Sequence, residues 1–150
     1  MIQMTPKECA MLKELKGAEQ LCIDKYNRHS SQARDPQLKN LFTQLAQTEQ
    51  KHLDTLCQLE EGKVPAMGSA SPLQMSFQAK YSGECSDKQG DCFLCTDALS
   101  GEKHTSGLYD TSIFEFTDEG QRNALNNIQK QEQNHGKLIY DYMAVNNMYS

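Results

Sequence analysis

Apolar residues recur at steps of three and four along most of this chain, the period of one face of an α-helix. Leu12, Leu15, Cys22 and Tyr26 make the first such stripe, with Glu19 set into it. The pattern predicts a helix over about residues 6 to 31, with Pro6 in its first turn and Thr5 as a capping residue. Asp35-Pro36 is the next start signal. It opens a second helix that runs to about Glu61-Gly62 on the stripe Leu38, Phe42, Leu45, Glu49, His52, Leu56, Leu59. A third helix is expected from about Asp91 to Phe116. A fourth is expected from about Asp118 to Asn146-Asn147, on Leu125, Ile128, Glu132, His135, Ile139 and Tyr142. Residues 62–90 are rich in glycine, serine and proline and read as a long crossing connection. Neither half buries a comfortable core alone, so residues 1–150 are expected to form one domain. The fold class that follows is all-α, an antiparallel four-helix bundle of two hairpins, at about 6–61 and about 91–147.

The two hairpins share a pattern. When the chain is shifted by 83 residues against itself, Glu19 falls on Glu102, Tyr26 on Tyr109 and Asp35 on Asp118. Glu49 falls on Glu132, Gln50 on Gln133 and His52 on His135. Each half therefore carries a Glu and a Tyr on its first helix and a Glu-x-x-His on its second, an internal repeat.

The spacing has a geometric meaning. Glu19 and Glu49 stand on either side of a turn near Arg34, each about fifteen residues away, or roughly 22 Å at 1.5 Å per residue. In an antiparallel hairpin they come level, and Glu102 and Glu132 do the same about a turn near Thr117. The i, i+3 spacing of Glu49/His52 and Glu132/His135 puts each pair on one helix face. Two such hairpins packed together bring four carboxylates and two imidazoles to one layer. That is the donor set of a dinuclear carboxylate centre.

Charge sharpens this expectation. The six residues lie on stripes otherwise made of Leu, Ile, Phe and Tyr, with no Lys or Arg at their level. An unpaired buried carboxylate costs several kcal/mol. Two divalent ions would offset four glutamates with the histidines neutral. Iron fits the oxygen and imidazole donors best, and manganese or zinc also suit them. Tyr26 and Tyr109 would orient the ligands. A second reading stays open, in which the glutamates are protonated and hydrogen-bonded to Tyr26, Tyr109 and the histidines with no metal.

Composition narrows the partners. The chain has 150 residues and a formal charge of −5, with both signs interspersed and no basic block. Nucleic acid and anionic membrane are therefore not expected partners. No apolar run approaches the roughly 20 residues of a membrane span. The first residues lack a basic region followed by an apolar one, so synthesis in the cytoplasm is expected. Cys9, Cys22, Cys57, Cys85, Cys92 and Cys95 include one C-x-x-C and no second pair, which argues for free thiols over a four-thiolate site. His29 and His104 fall off the ligand layer, Glu14, Asp97 and Glu115 read as solvated, with Asp97 close enough to stand behind the ligands as an alternative, and Met143 and Met148 read as packing residues.

Several segments also carry a family resemblance. Asp97–Lys103, Tyr109–Phe116, Asn127–Gly136, Ile139–Met143 and the tail Asn147–Ser150 resemble the Coat F family of spore coat proteins. The likeness covers about residues 91 to 150. Over residues 8 to 60 it is carried by Glu19, Tyr26 and Glu49-x-x-His52. The resemblance implies a ferritin-like fold, synthesis in the mother cell and assembly in the spore coat, with other coat proteins or a second copy of the chain as partners. Gly101 stands where the family more usually has threonine or serine, and it loosens the helix beside Glu102 by about 1 kcal/mol relative to alanine. Two functions follow. One is a structural coat protein with Tyr140, Tyr142, Tyr149 and some thiols exposed for cross-linking. The other is a rubrerythrin-like di-iron oxidase, peroxidase or iron-handling protein drawing electrons from an external donor.

Overall fold

The computed structural model describes residues 2–65 and 72–149. Residues 66–71 of the connection, and Ser150 of the tail, lie outside the described residues. Four helices and no strands are present among the rest. They are α1 (Pro6–Gln32), α2 (Pro36–Glu60), α3 (Ser86–Ile113) and α4 (Glu119–Val145). None is long and apolar enough to cross a membrane.

Each start has a chemical cause. Thr5 accepts from the Glu8 N–H while the Glu8 carboxylate accepts from the Thr5 N–H, a reciprocal cap. Asp35 caps α2 through the Gln37 N–H, and Asp118 caps α4 through the Gln121 N–H. The third helix begins at Ser86, five residues before the expected Asp91. The Cys85 thiol takes up the Lys88 N–H, and Gly90 is carried inside the helix with nothing crowding it. Its far end comes at Ile113, not Phe116. Glu115 and Phe116 there donate back to Ser112 and Ile113, tightening the chain into a turn that still buries the Phe116 ring.

Packing is closest within each hairpin, α1 on α2 and α3 on α4. The hairpins then lie with α1 antiparallel to α3. Asp91, near the start of α3, accepts from the Arg34 and Asp35 N–H groups at 2.8 and 3.0 Å, in the turn that ends hairpin 1. At the opposite end Glu8, near the start of α1, accepts from the Thr117 N–H in the turn that ends hairpin 2. Both turns are thus pinned by a carboxylate of the other hairpin. Glu8 and Asp91 are themselves 83 positions apart.

The connection must travel the length of the bundle, and its second half lies over α2 and α4. Asn134 donates to Leu73 O, Gln37 exchanges hydrogen bonds with Gln78, and Asn146 accepts from the Lys80 and Tyr81 N–H groups. Leu73, Met75 and Phe77 alternate inward onto the core, and the Tyr81 hydroxyl closes on Asp91 at 2.6 Å.

Two apolar clusters fill the interior. Phe42, Leu45, Cys95, Ile139 and Tyr142 belong to one, and Leu12, Leu56, Tyr109, Leu125 and Ile128 to the other. Tyr142, expected on the surface with Tyr140 and Tyr149, is fully buried. It sits on the core stripe of α4, where its hydroxyl donates to Asp35 at 2.8 Å. Met143 is buried and Met148 packs on the same cluster.

Candidate metal centre

Between the two apolar clusters lies a polar layer. Helical phase brings one glutamate from each helix inward, and Glu19, Glu49, Glu102 and Glu132 are all buried. His52 and His135 follow their glutamates by one turn on α2 and α4 and are also buried. Their rings stack face to face with centroids 5.8 Å apart. All six residues read from the sequence therefore converge.

The shortest contacts run between hairpins. Tyr26 donates to Glu102, and Tyr109 donates to Glu19 at 2.6 Å. His52 Nδ1 lies 2.9 Å from Glu132 Oε1, and His135 Nδ1 lies 2.8 Å from Glu49 Oε1. His135 Nδ1 also reaches Glu102 at 3.3 Å. Each of these contacts has a counterpart 83 positions along the chain. The donor atoms form two overlapping groups, each within 4.8 Å: Glu19, Glu49, His52, Glu132 and Glu49, Glu102, Glu132, His135. Glu49 and Glu132 belong to both, so this layer can hold a metal ion.

Burial sets the protonation of the layer when no ion is bound. Desolvation, reinforced by the neighbouring Glu49, pushes Glu19 up to about 11. Desolvation and the charges of Glu102 and Glu49 hold Glu132 well above the ordinary carboxyl range. Glu49 goes the other way. Desolvation opposes its charge, but the Glu19 carboxyl and the two histidines favour it more, and it sits well below that range. His135 is also desolvated, yet Glu102 and Glu49 prevail and raise it to about 9. Tyr26 and Tyr109 are driven far up by burial and by their carboxylate partners, so they remain donors.

The donor set fits metal. Glu19 Oε2, Glu49 Oε2, Glu102 Oε2 and Glu132 Oε2 are buried with no hydrogen-bond partner in the protein, and Glu49 Oε1 has only its close contact with His135 Nδ1. A buried carboxylate oxygen left in that state is costly, and a cation satisfies several at once.

The remaining candidates lie elsewhere. His29 is buried, edge-on to Phe42, and pairs with Asp97 at 2.8 Å outside the layer. Asp97 also takes Lys25 at 2.8 Å, so it anchors the surface of α1 to α3. A Cβ at Gly101 would stand 3.3 Å from that Lys25 ammonium, so glycine there leaves the ammonium more room beside α3. His104 is exposed. All six cysteines are free. Cys22, one turn past Glu19, meets Thr105 at 3.5 Å, and burial with the charge of Glu49 raises its thiol to about 12. One contact to the layer escaped the sequence pattern. Gln131, off the apolar stripe, receives His52 Nε2 on its Oε1 at 2.6 Å.

Comparison with known proteins adds the family. No curated protein and no solved structure matches the chain. Residues 90–150 match the family model described as the Coat F domain, which includes Glu102, Tyr109, Glu132 and His135. Residues 90–150, most of the α3–α4 hairpin, are thus similar to the Coat F domain.

Proposed function

We propose that this protein is a ferritin-like, metal-binding component of the spore coat. Glu19, Glu49, His52, Glu102, Glu132 and His135 hold two divalent ions, with iron preferred. Glu19 and His52 serve one position, Glu102 and His135 the other, and Glu49 and Glu132 are shared. The reading is carried by one observation: four buried carboxylate oxygens, one on each glutamate, lie unpartnered beside two imidazoles, and among the described residues no lysine or arginine pairs with them. The Coat F hairpin supports the assignment to the coat. Iron or manganese bound there would supply redox and Lewis-acid chemistry. The chain's own residues orient and neutralise: Tyr26 and Tyr109 hold the terminal glutamates by their hydroxyls, and the flanking Leu and Ile side chains exclude water.

Elemental analysis of protein from iron-supplemented cells tests this. Two ions per chain are expected in the wild type, with severe loss in Glu49→Ala. Protein that stays metal-free after anaerobic incubation with ferrous or manganous ion would refute it.

A further inference from the structure

The two halves of the layer match in their carboxylates and phenols but differ behind their histidines. His52 Nδ1 faces Glu132, while its Nε2 donates to Gln131 Oε1 at 2.6 Å. That second contact fixes the ring's rotation and leaves Nδ1 as the nitrogen turned to the carboxylates. The position equivalent to Gln131 in the other half is Thr48. Its hydroxyl is committed to Gln44 O, one turn back in its own helix, at 3.1 Å. Among the described residues no side chain accepts from His135 Nε2, and the recorded contacts of that ring run through Nδ1 to Glu49, Glu102 and Glu132.

We infer that Gln131 is a positioning residue for His52 and makes the Glu19–His52 position bind its ion more tightly than the Glu102–His135 position. The inference rests on the two-metal reading of the layer. A ligand already held in its binding orientation loses less freedom when the ion arrives. The His135 ring, anchored at one nitrogen, must be ordered by the ion itself. The two positions therefore fill in sequence.

Calorimetric titration of the metal-free full chain with Mn(II) tests this. The wild type is expected to show two steps. Gln131→Leu should weaken the tighter step by about 10–100-fold, the range for an outer contact to a ligand histidine, and leave the weaker step in place. Gln131→Glu keeps an acceptor oxygen at the same reach and should restore the separation. Gln131→Ala repeats the test without a branched side chain if the leucine variant does not fold. Equal affinities in the wild type, or a uniform effect of Gln131→Leu on both steps, overturn the inference and leave the two-metal reading standing. No uptake of Mn(II) at all overturns that reading too.

Discussion

Cys22 and Thr105 touch side chain to side chain at 3.5 Å, and they are 83 positions apart in the chain. Equivalent positions of the two hairpins thus meet each other there, as the stacked rings of His52 and His135 also do, whereas the phenol and the shorter imidazole contacts to the carboxylates come as swapped pairs. Tyr26 reaches Glu102 and Tyr109 reaches Glu19; His52 reaches Glu132 and His135 reaches Glu49. The hairpins are related by an approximate two-fold running between Cys22 and Thr105.

The swapped phenols should matter about equally. Tyr26→Phe and Tyr109→Phe each remove a phenolic donor to a buried carboxylate and are expected to cost about 1–2 kcal/mol in the metal-free protein. Urea unfolding measures this. A neutral result for both would mean that the carboxylates find other partners.

Stability of the metal-free protein should fall as pH rises from about 5 to about 9. Glu19 titrates at about 11 when folded against 4.5 when free, and Glu132 is raised as well. The folded chain therefore keeps protons that the unfolded chain releases, and ΔG of unfolding declines across the window. His135 acts with the same sign: its contribution is complete below 6.5 and lost through about 9. Glu49, held low, contributes above its free value and loses that contribution only in acid. Metal binding displaces these protons, so the loaded protein should become more stable over the same rise. Thermal melts at pH 5, 7 and 9, with and without Mn(II), measure both trends. A metal-free protein most stable at pH 9 would contradict the assigned protonation.

Shared and unshared ligands should separate in stoichiometry. Glu49 belongs to both donor groups and Glu19 to one. Glu49→Ala is expected to lose both ions and Glu19→Ala to keep one. Saturating metal should stabilise the wild type by about 2.7 kcal/mol for each ion held at a hundredfold excess over its Kd. Dialysis followed by elemental analysis distinguishes the variants, and equal loss in both would remove the shared role of Glu49.

Asp91 joins three segments: the turn of hairpin 1, the connection through Tyr81, and α3. Asp91→Ala strands two backbone donors and a phenol and should cost about 2–4 kcal/mol. Glu8→Ala removes the matching pin and one cap, for about 1–2 kcal/mol. Denaturant midpoints that rank these in the opposite order would show that the hairpin 1 turn holds without Asp91.

Thiol labelling should follow burial. Cys9 and Cys85 are exposed and should react at once, Cys57 and Cys92 more slowly, and Cys22 and Cys95 only on unfolding, since burial raises both thiols. Fast modification of Cys22 in native protein would mean that the layer is open to solvent.

Much of this was legible in the sequence because the two periods agree. Helical phase puts Glu19, Glu49, Glu102 and Glu132 inward, and the 83-residue shift pairs them. The start of α3 was not legible, because Cys85 is an uncommon cap and Gly90 reads as a breaker when nothing tells that its surroundings are open. Tyr142 lay on a core stripe, but its buried partner Asp35 is 107 positions away, and no local pattern links them. Gln131 was invisible for a similar reason: it is one residue off the stripe, and only the crossing of α2 and α4 brings His52 to it.

The swapped contacts have a bearing on size. A lone hairpin of this type holds both members of every pairing, yet its phenol meets no carboxylate of its own, and its imidazole reaches its own first-helix glutamate only at longer range, 3.3 Å for His135 and Glu102. On α3, Glu102 and Tyr109 stand two turns apart along one helix and face the same way. Such a hairpin is an isologous half, complete only when set against another turned end for end. Two short identical chains would thus suffice to build the same chamber that this protein encloses with one.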